Sequence, residues 1–139
     1  MNAAKEAYLL DTSAVLTLIE DESGAERVEK ILRNERSLIA FVTLLEVRYI
    51  TLQERDEATA DSRHTLLLNS GATILWQIDE PALLTAARMK ASYRVSLADA
   101  LIAAFASRYT ATLVHKDPEF EALAGELRLE SLPLKQRGR

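Results

Sequence analysis

Residues 8–19, YLLDTSAVLTLI, form a largely apolar stretch with a single charge in it, Asp11. Residues 8–10 have the character of a buried strand end and residues 13–19 that of a helix start. Asp11, Thr12 and Ser13 therefore stand where a strand hands over to a helix. In an open α/β sheet, ligands bind at that edge. A carboxylate among apolar residues costs free energy unless something pairs with it. The rest of the chain must supply that partner.

Short apolar runs recur with helical segments between them. Residues 37–42, 72–78 and 111–114 read as further strands, and 127–134 as a candidate fifth. Helices are expected over 24–33, 43–54, 57–69 and 96–110, with a short one at 118–124. Another should run to Tyr93 from an N-cap at Asp79, with Pro81 in its first turn. Strands alternating with helices mean βαβ units and a parallel sheet covered on both faces. A chain of 139 residues fits a single domain, 1–139, and four Gly with three Pro leave only short loops.

Composition narrows the chemistry. There is no Cys, which excludes disulfides and thiolate zinc sites. At 48% hydrophobic and 27% charged residues, the chain belongs with globular rather than disordered sequences. Lys5, Glu6 and Asp11 interrupt any signal-peptide core, and no apolar run is long enough to cross a bilayer. A cytoplasmic protein without membrane association is expected. The net charge of −4 argues weakly against simple electrostatic binding of nucleic acid. The charge is uneven, however: residues 82–116 hold Arg88, Lys90, Arg94, Arg108 and Lys116 against one acid, Asp99.

Three further acids resemble Asp11 in their setting. Glu46 is the only charge in residues 38–47, Asp99 is the only charge in 95–107, and Asp117 follows the strand at 111–114. A helix that follows a parallel strand, or that feeds the next one, starts at the carboxyl edge of the sheet. All four acids should therefore converge on that edge. As bare anions they would repel and raise one another's pKa values. Divalent cations resolve this. Carboxylates with no Cys and two His point to Mg²⁺ or Mn²⁺, which typically work on phosphates. Each acid also has a purely structural reading. Residues 43–46, TLLE, and 96–99, SLAD, fit capping boxes, and Asp11 and Asp117 are ordinary cap or turn residues. Four caps on one edge, each facing an apolar interior, favour a metal site, and the two roles are compatible.

Other features carry less. His115 could contact substrate or simply pack at a strand end, and His64 should be solvated on a charged helix. Trp76 reads as core rather than as a platform for base stacking. Neither a GxGxxG loop nor a P-loop is present.

LLDTSAVL at 9–16, a Glu in the first turn of the helix after strand two, SLADALIAAFA at 96–106 and LVHKDPEF at 113–120 together resemble the PIN-domain ribonucleases. The small single-domain form is similar to the VapC-type toxins of toxin–antitoxin pairs. The likeness spans about residues 8–123. It implies an α/β fold, a PIN-like three-layer α/β/α arrangement with a central parallel sheet of four to five strands. It implies that Asp11, Glu46, Asp99 and Asp117 surround Mg²⁺ or Mn²⁺ and hydrolyse RNA, with the Ser13 hydroxyl supporting the site. A cognate antitoxin and a homodimer are implied as well, the helices at 43–54 and 96–110 being candidate contact surfaces. The family often has Thr or Ser where His115 stands. Arg48, Arg88, Arg94 and Lys116 are candidates for holding the RNA backbone. Two rivals remain: another metal-dependent phosphate hydrolase or DNA-directed nuclease, and a non-catalytic receiver-like binding module with Lys116 beside its acids.

Overall fold

The apolar runs pair side by side. In the computed structural model, which describes residues 6–134, β1 (Ala7–Leu10), β2 (Arg36–Ala40), β3 (Thr73–Leu75), β4 (Thr112–His115) and β5 (Leu129–Ser131) build a five-stranded sheet. The order is β3-β2-β1-β4-β5 and every pairing is parallel. Helices α1 (Thr12–Ile19), α2 (Ala25–Asn34), α3 (Phe41–Glu54), α4 (Glu57–Leu68), α5 (Glu80–Ser92) and α6 (Leu97–Arg108) connect the strands. Successive strand residues face opposite ways. Leu9, Leu38 and Leu113 pack with Met89 of α5 and Ile102 and Phe105 of α6. Leu10, Ile39 and Val114 pack with Val15, Val28, Val47 and Leu67 of α1 to α4. The strands are apolar on both faces because both faces are covered, which gives the three layers expected. Among the described residues, no helix is long and apolar enough to cross a membrane.

Several boundaries differ from the sequence reading. β2 stops at Ala40, and α3 begins at Phe41 with no loop and no side-chain cap. The anticipated capping box at Thr43 and Glu46 is therefore not used. Thr43 is fully buried inside the helix, and Glu46 lies in the second turn rather than the first. β3 is shorter than expected and lies at the sheet edge. Trp76 falls just beyond it and is 57% exposed, so it is not core. The segment after β4 forms a 3₁₀ helix, Pro118–Leu123, whose bonding is tighter than α.

α5 and α6 form an antiparallel hairpin. Asp79 caps α5 by accepting the Ala82 N–H at 3.0 Å, and its other oxygen pairs with Arg108 at the end of α6 at 2.7 Å. The negative group sits at one helix N-terminus and the positive group at the other's C-terminus, as the helix dipoles prefer. α6 leads directly into β4 at the amino edge of the sheet, so its first turn, with Asp99, lies at the carboxyl edge.

Candidate metal centre

β1 and β4 are neighbours, but the chain leaves β1 toward β2 on its other side. The crevice between their carboxyl ends is the point where strand order switches. Asp11 sits in it as the N-cap of α1. Its Oδ1 accepts the Ala14 N–H at 2.7 Å, and the Ser13 hydroxyl lies 2.8 Å from each carboxylate oxygen. Its own N–H donates to the Val114 carbonyl at 3.1 Å. Ser13 Oγ in turn accepts the Lys116 N–H at 2.8 Å, which ties the exits of β1 and β4 together. Asp11 is only 2% exposed. Burial pushes its carboxyl up to about 7; the Ala14 and Ser13 hydrogen bonds oppose this, and the charges of Asp99 and Asp117 add to it.

Glu46 comes from α3 and is held by α1. Thr12 Oγ1 donates to Glu46 Oε1 at 2.6 Å. A hydroxyl has one proton, so the Thr43 hydroxyl, 3.3 Å from Thr12 Oγ1, must be the donor in that contact. A relay from Thr43 through Thr12 thus orients Glu46. Asp99 stands in the first turn of α6, where its N–H donates to Ser96 Oγ at 3.1 Å. Burial raises its carboxyl to about 6, helped by the charges of Asp117 and Glu46. Asp117 caps the 3₁₀ helix by accepting the Glu119 N–H at 3.0 Å.

Glu119 completes the group and was not anticipated from the sequence. Carboxylate oxygens of Asp99, Asp117 and Glu119 lie within 4.8 Å of one another. Asp11, Glu46, Asp99, Asp117 and Glu119, with Thr12, Ser13 and Ser96, line one cleft of about 330 Å³. The available signal was an acid two residues beyond Asp117, in a turn too tight to carry it far away. Thr12 was read as part of the junction without its role toward Glu46.

Among the described residues, no ion pair reaches any of these acids. Three of the cations expected to hold RNA are engaged elsewhere. Arg48 pairs with Asp61 at 2.8 Å. Arg88 grips Glu126 with two nitrogens, at 3.0 and 2.6 Å. Lys116 Nζ lies 3.7 Å from Glu22, which leaves the receiver-like alternative without the lysine it needs beside the acids. Arg94, in the turn before α6, is exposed and has no such partner among the described residues. Hard oxygen donors that crowd together without a cation of the chain fit a divalent ion such as Mg²⁺ or Mn²⁺.

Compared with known protein families, residues 8–126 match the PIN domain. The chain belongs to the PIN-domain family. Solved PIN folds agree over nearly the whole length. VapBC2 from Rickettsia felis, bound to a DNA fragment from its promoter, superposes with a TM-score of 0.76 at 19% identity, covering 91% of this chain and 99% of the other. VapBC-1 from nontypeable Haemophilus influenzae gives 0.70 at 22% identity, with 90% and 97% covered. VapC20 from Mycobacterium tuberculosis, described as a toxin that cleaves the sarcin–ricin loop, gives 0.69 at 14% identity, with 91% and 99% covered. No curated protein matches the sequence. The PIN fold accounts for why acids from four separate segments, 11, 46, 99 and 117–119, meet at one sheet edge.

Proposed function

We propose that this PIN domain is a Mg²⁺-dependent endoribonuclease, with Mn²⁺ able to substitute, and that it is the toxin of a type II toxin–antitoxin pair. The observation that carries the reading is the group of five carboxylates at the switch point of the sheet, with no cation among the described residues that line the cleft. The relatives support the class: one is described as a toxin that cleaves the sarcin–ricin loop, and others as a toxin–antitoxin complex or a member of a family of toxin–antitoxin systems. A cognate antitoxin is the partner this predicts.

Asp11, Asp99 and Asp117 would hold the ion, with Glu119 close enough to join them. Ser13 fixes the Asp11 carboxylate, and Thr12 fixes one oxygen of Glu46, leaving the other for the ion or a water. When bound, Mg²⁺ supplies charge neutralisation at the phosphodiester and activation of water for in-line attack. Arg94 is the candidate contact to the RNA backbone. Arg48, Arg88 and Lys116, already held by acids, are weaker candidates for that task.

Cleavage assays on matched RNA, DNA and a phosphomonoester, each with Mg²⁺ and with EDTA, test the reading. Mg²⁺-dependent cleavage of RNA alone is expected; equal attack on DNA, or phosphomonoester hydrolysis without RNA cleavage, would assign another hydrolase class. Arg94→Glu is expected to weaken RNA binding and to lower its salt slope by about one. An unchanged affinity and slope would remove Arg94 from the RNA path.

The reading also includes a homodimer. α3 presents Leu45, Tyr49 and Leu52, at 60%, 44% and 45% exposure, spaced as one helical stripe. α6, the other candidate surface, is mostly buried and offers Leu97 at its start. Sedimentation equilibrium checks this point: a wild-type monomer at micromolar concentration would remove it.

A further inference from the structure

We propose that His115 is the positioning residue for the Asp117–Glu119 arm of the cleft, acting through an unprotonated Nδ1 that fixes the Asp117 backbone; this rests on the metal-site reading above. His115 ends β4 and is 1% exposed. Its Nδ1 accepts the Asp117 N–H at 3.1 Å. A nitrogen that accepts carries no proton, so in the neutral ring the proton sits on Nε2. Nε2 lies 3.1 Å from Glu121 Oε2 and donates to it. The imidazole is thus held at both ends, and its face packs against Phe120 with ring centres 5.3 Å apart.

The two ends have different consequences. Through Nδ1 the ring satisfies a backbone donor in a half-buried turn and sets the direction in which the Asp117 side chain leaves the chain. Asp117 Oδ1 then accepts the Glu119 N–H, so the same contact propagates to the second acid of the arm. Through Nε2 and Phe120 the ring is clamped onto the 3₁₀ helix that carries those acids. A small hydroxyl at position 115 could accept the Asp117 N–H but could not reach Glu121. Among the described residues, the ring's hydrogen bonds reach the cleft only through the Asp117 backbone, so its effect on an ion would be indirect. Groups that orient metal ligands in this way typically change metal affinity ten- to a hundredfold when removed.

Two substitutions separate this role from simple packing. His115→Asn loses the ring but keeps an acceptor atom two bonds from Cβ, where Nδ1 was. His115→Phe keeps the ring and its contact with Phe120 but has no acceptor. Mn²⁺ affinity is measured by titration, and the melting temperature is measured in EDTA. His115→Phe is expected to bind Mn²⁺ about ten- to a hundredfold more weakly, whereas His115→Asn keeps wild-type affinity even if it melts lower. Affinity that follows melting temperature instead, kept in Phe and lost in Asn, would overturn the inference alone. A wild type that binds no Mn²⁺ would overturn the metal reading and the inference with it. Should His115→Phe fail to fold, the ¹⁵N spectrum of the wild-type imidazole decides: a protonated Nε2 and bare Nδ1 are expected, and the opposite tautomer would overturn the assignment.

Discussion

Asp99→Asn is expected to reduce RNA cleavage by at least about a hundredfold, the upper range for disturbing a mere supporting contact of a metal ligand. The metal-free fold should be as stable as wild type or more so. Asn has nearly the same shape, and the bond from the residue 99 N–H to Ser96 Oγ belongs to the backbone, so the start of α6 keeps its cap. What is lost is a negative charge that faces Asp117 and Glu46. Without an ion, that charge is a liability; with Mg²⁺ bound it becomes a ligand. A structural role for Asp99 makes the opposite forecast, with activity kept. Cleavage and thermal melting of both proteins, each with Mg²⁺ and with EDTA, separate the two, and wild-type-like Mg²⁺-dependent cleavage by the Asn variant would take Asp99 out of the site.

The metal-free protein should melt at a higher temperature at pH 5 than at pH 8. Burial raises Asp11 from 3.8 to about 7 and Asp99 to about 6. In the unfolded chain both would titrate near the usual Asp value of about 3.9. Between the unfolded and folded values the native state binds more protons than the unfolded one, so stability falls as pH rises through this range. The contribution is complete below about pH 4 and gone above about pH 7. For Asp11 the shift corresponds to at most about 4 kcal/mol. Glu126 runs the other way, held down to about 2 by Arg88 and Tyr93, but its contribution is nearly complete by about pH 5 and changes little between pH 5 and pH 8. Saturating Mg²⁺ should flatten or reverse the trend, because ligand carboxylates must be ionised to bind it. Calorimetric melts at pH 5 and pH 8 in EDTA check this; a metal-free melting temperature that is flat or rises with pH would mean that Asp11 and Asp99 are not strained as anions.

The parts of this fold that could be read from sequence are those set by local periodicity and by topology. Residues 8–10 and 111–114 are short apolar runs because their strands are covered on both faces, and a parallel sheet then dictates which edge receives Asp11, Asp99 and Asp117. The misplaced start of α3 has a local cause. Helices usually announce themselves with a polar cap, and Thr43 looked like one; the chain instead turns from β2 into α3 at Ala40 and Phe41 with no polar residue at the junction. Trp76 reads as core when the third strand is taken to run through it, but β3 is an edge strand that ends one residue earlier. Side-chain pairing over long separations leaves no periodic trace. Arg88 and Glu126 are 38 residues apart, and Thr12 and Glu46 are 34 apart, so neither contact was visible in the chain. Glu119 was missed for a different reason: Asp117 is an extended N-cap outside the 3₁₀ helix, so no helical period relates it to the acid two residues on that shares its cleft.

Anomalous scattering from crystals of the wild-type protein soaked in Mn²⁺ at pH 8 is the most direct measurement of a divalent cation held by these carboxylates. The expected difference map has a peak among Asp11, Asp99 and Asp117, and the peak is missing from crystals of Asp99→Asn. Wild-type crystals with no peak in that cleft, at a Mn²⁺ concentration that supports RNA cleavage in solution, would contradict the metal-centred account.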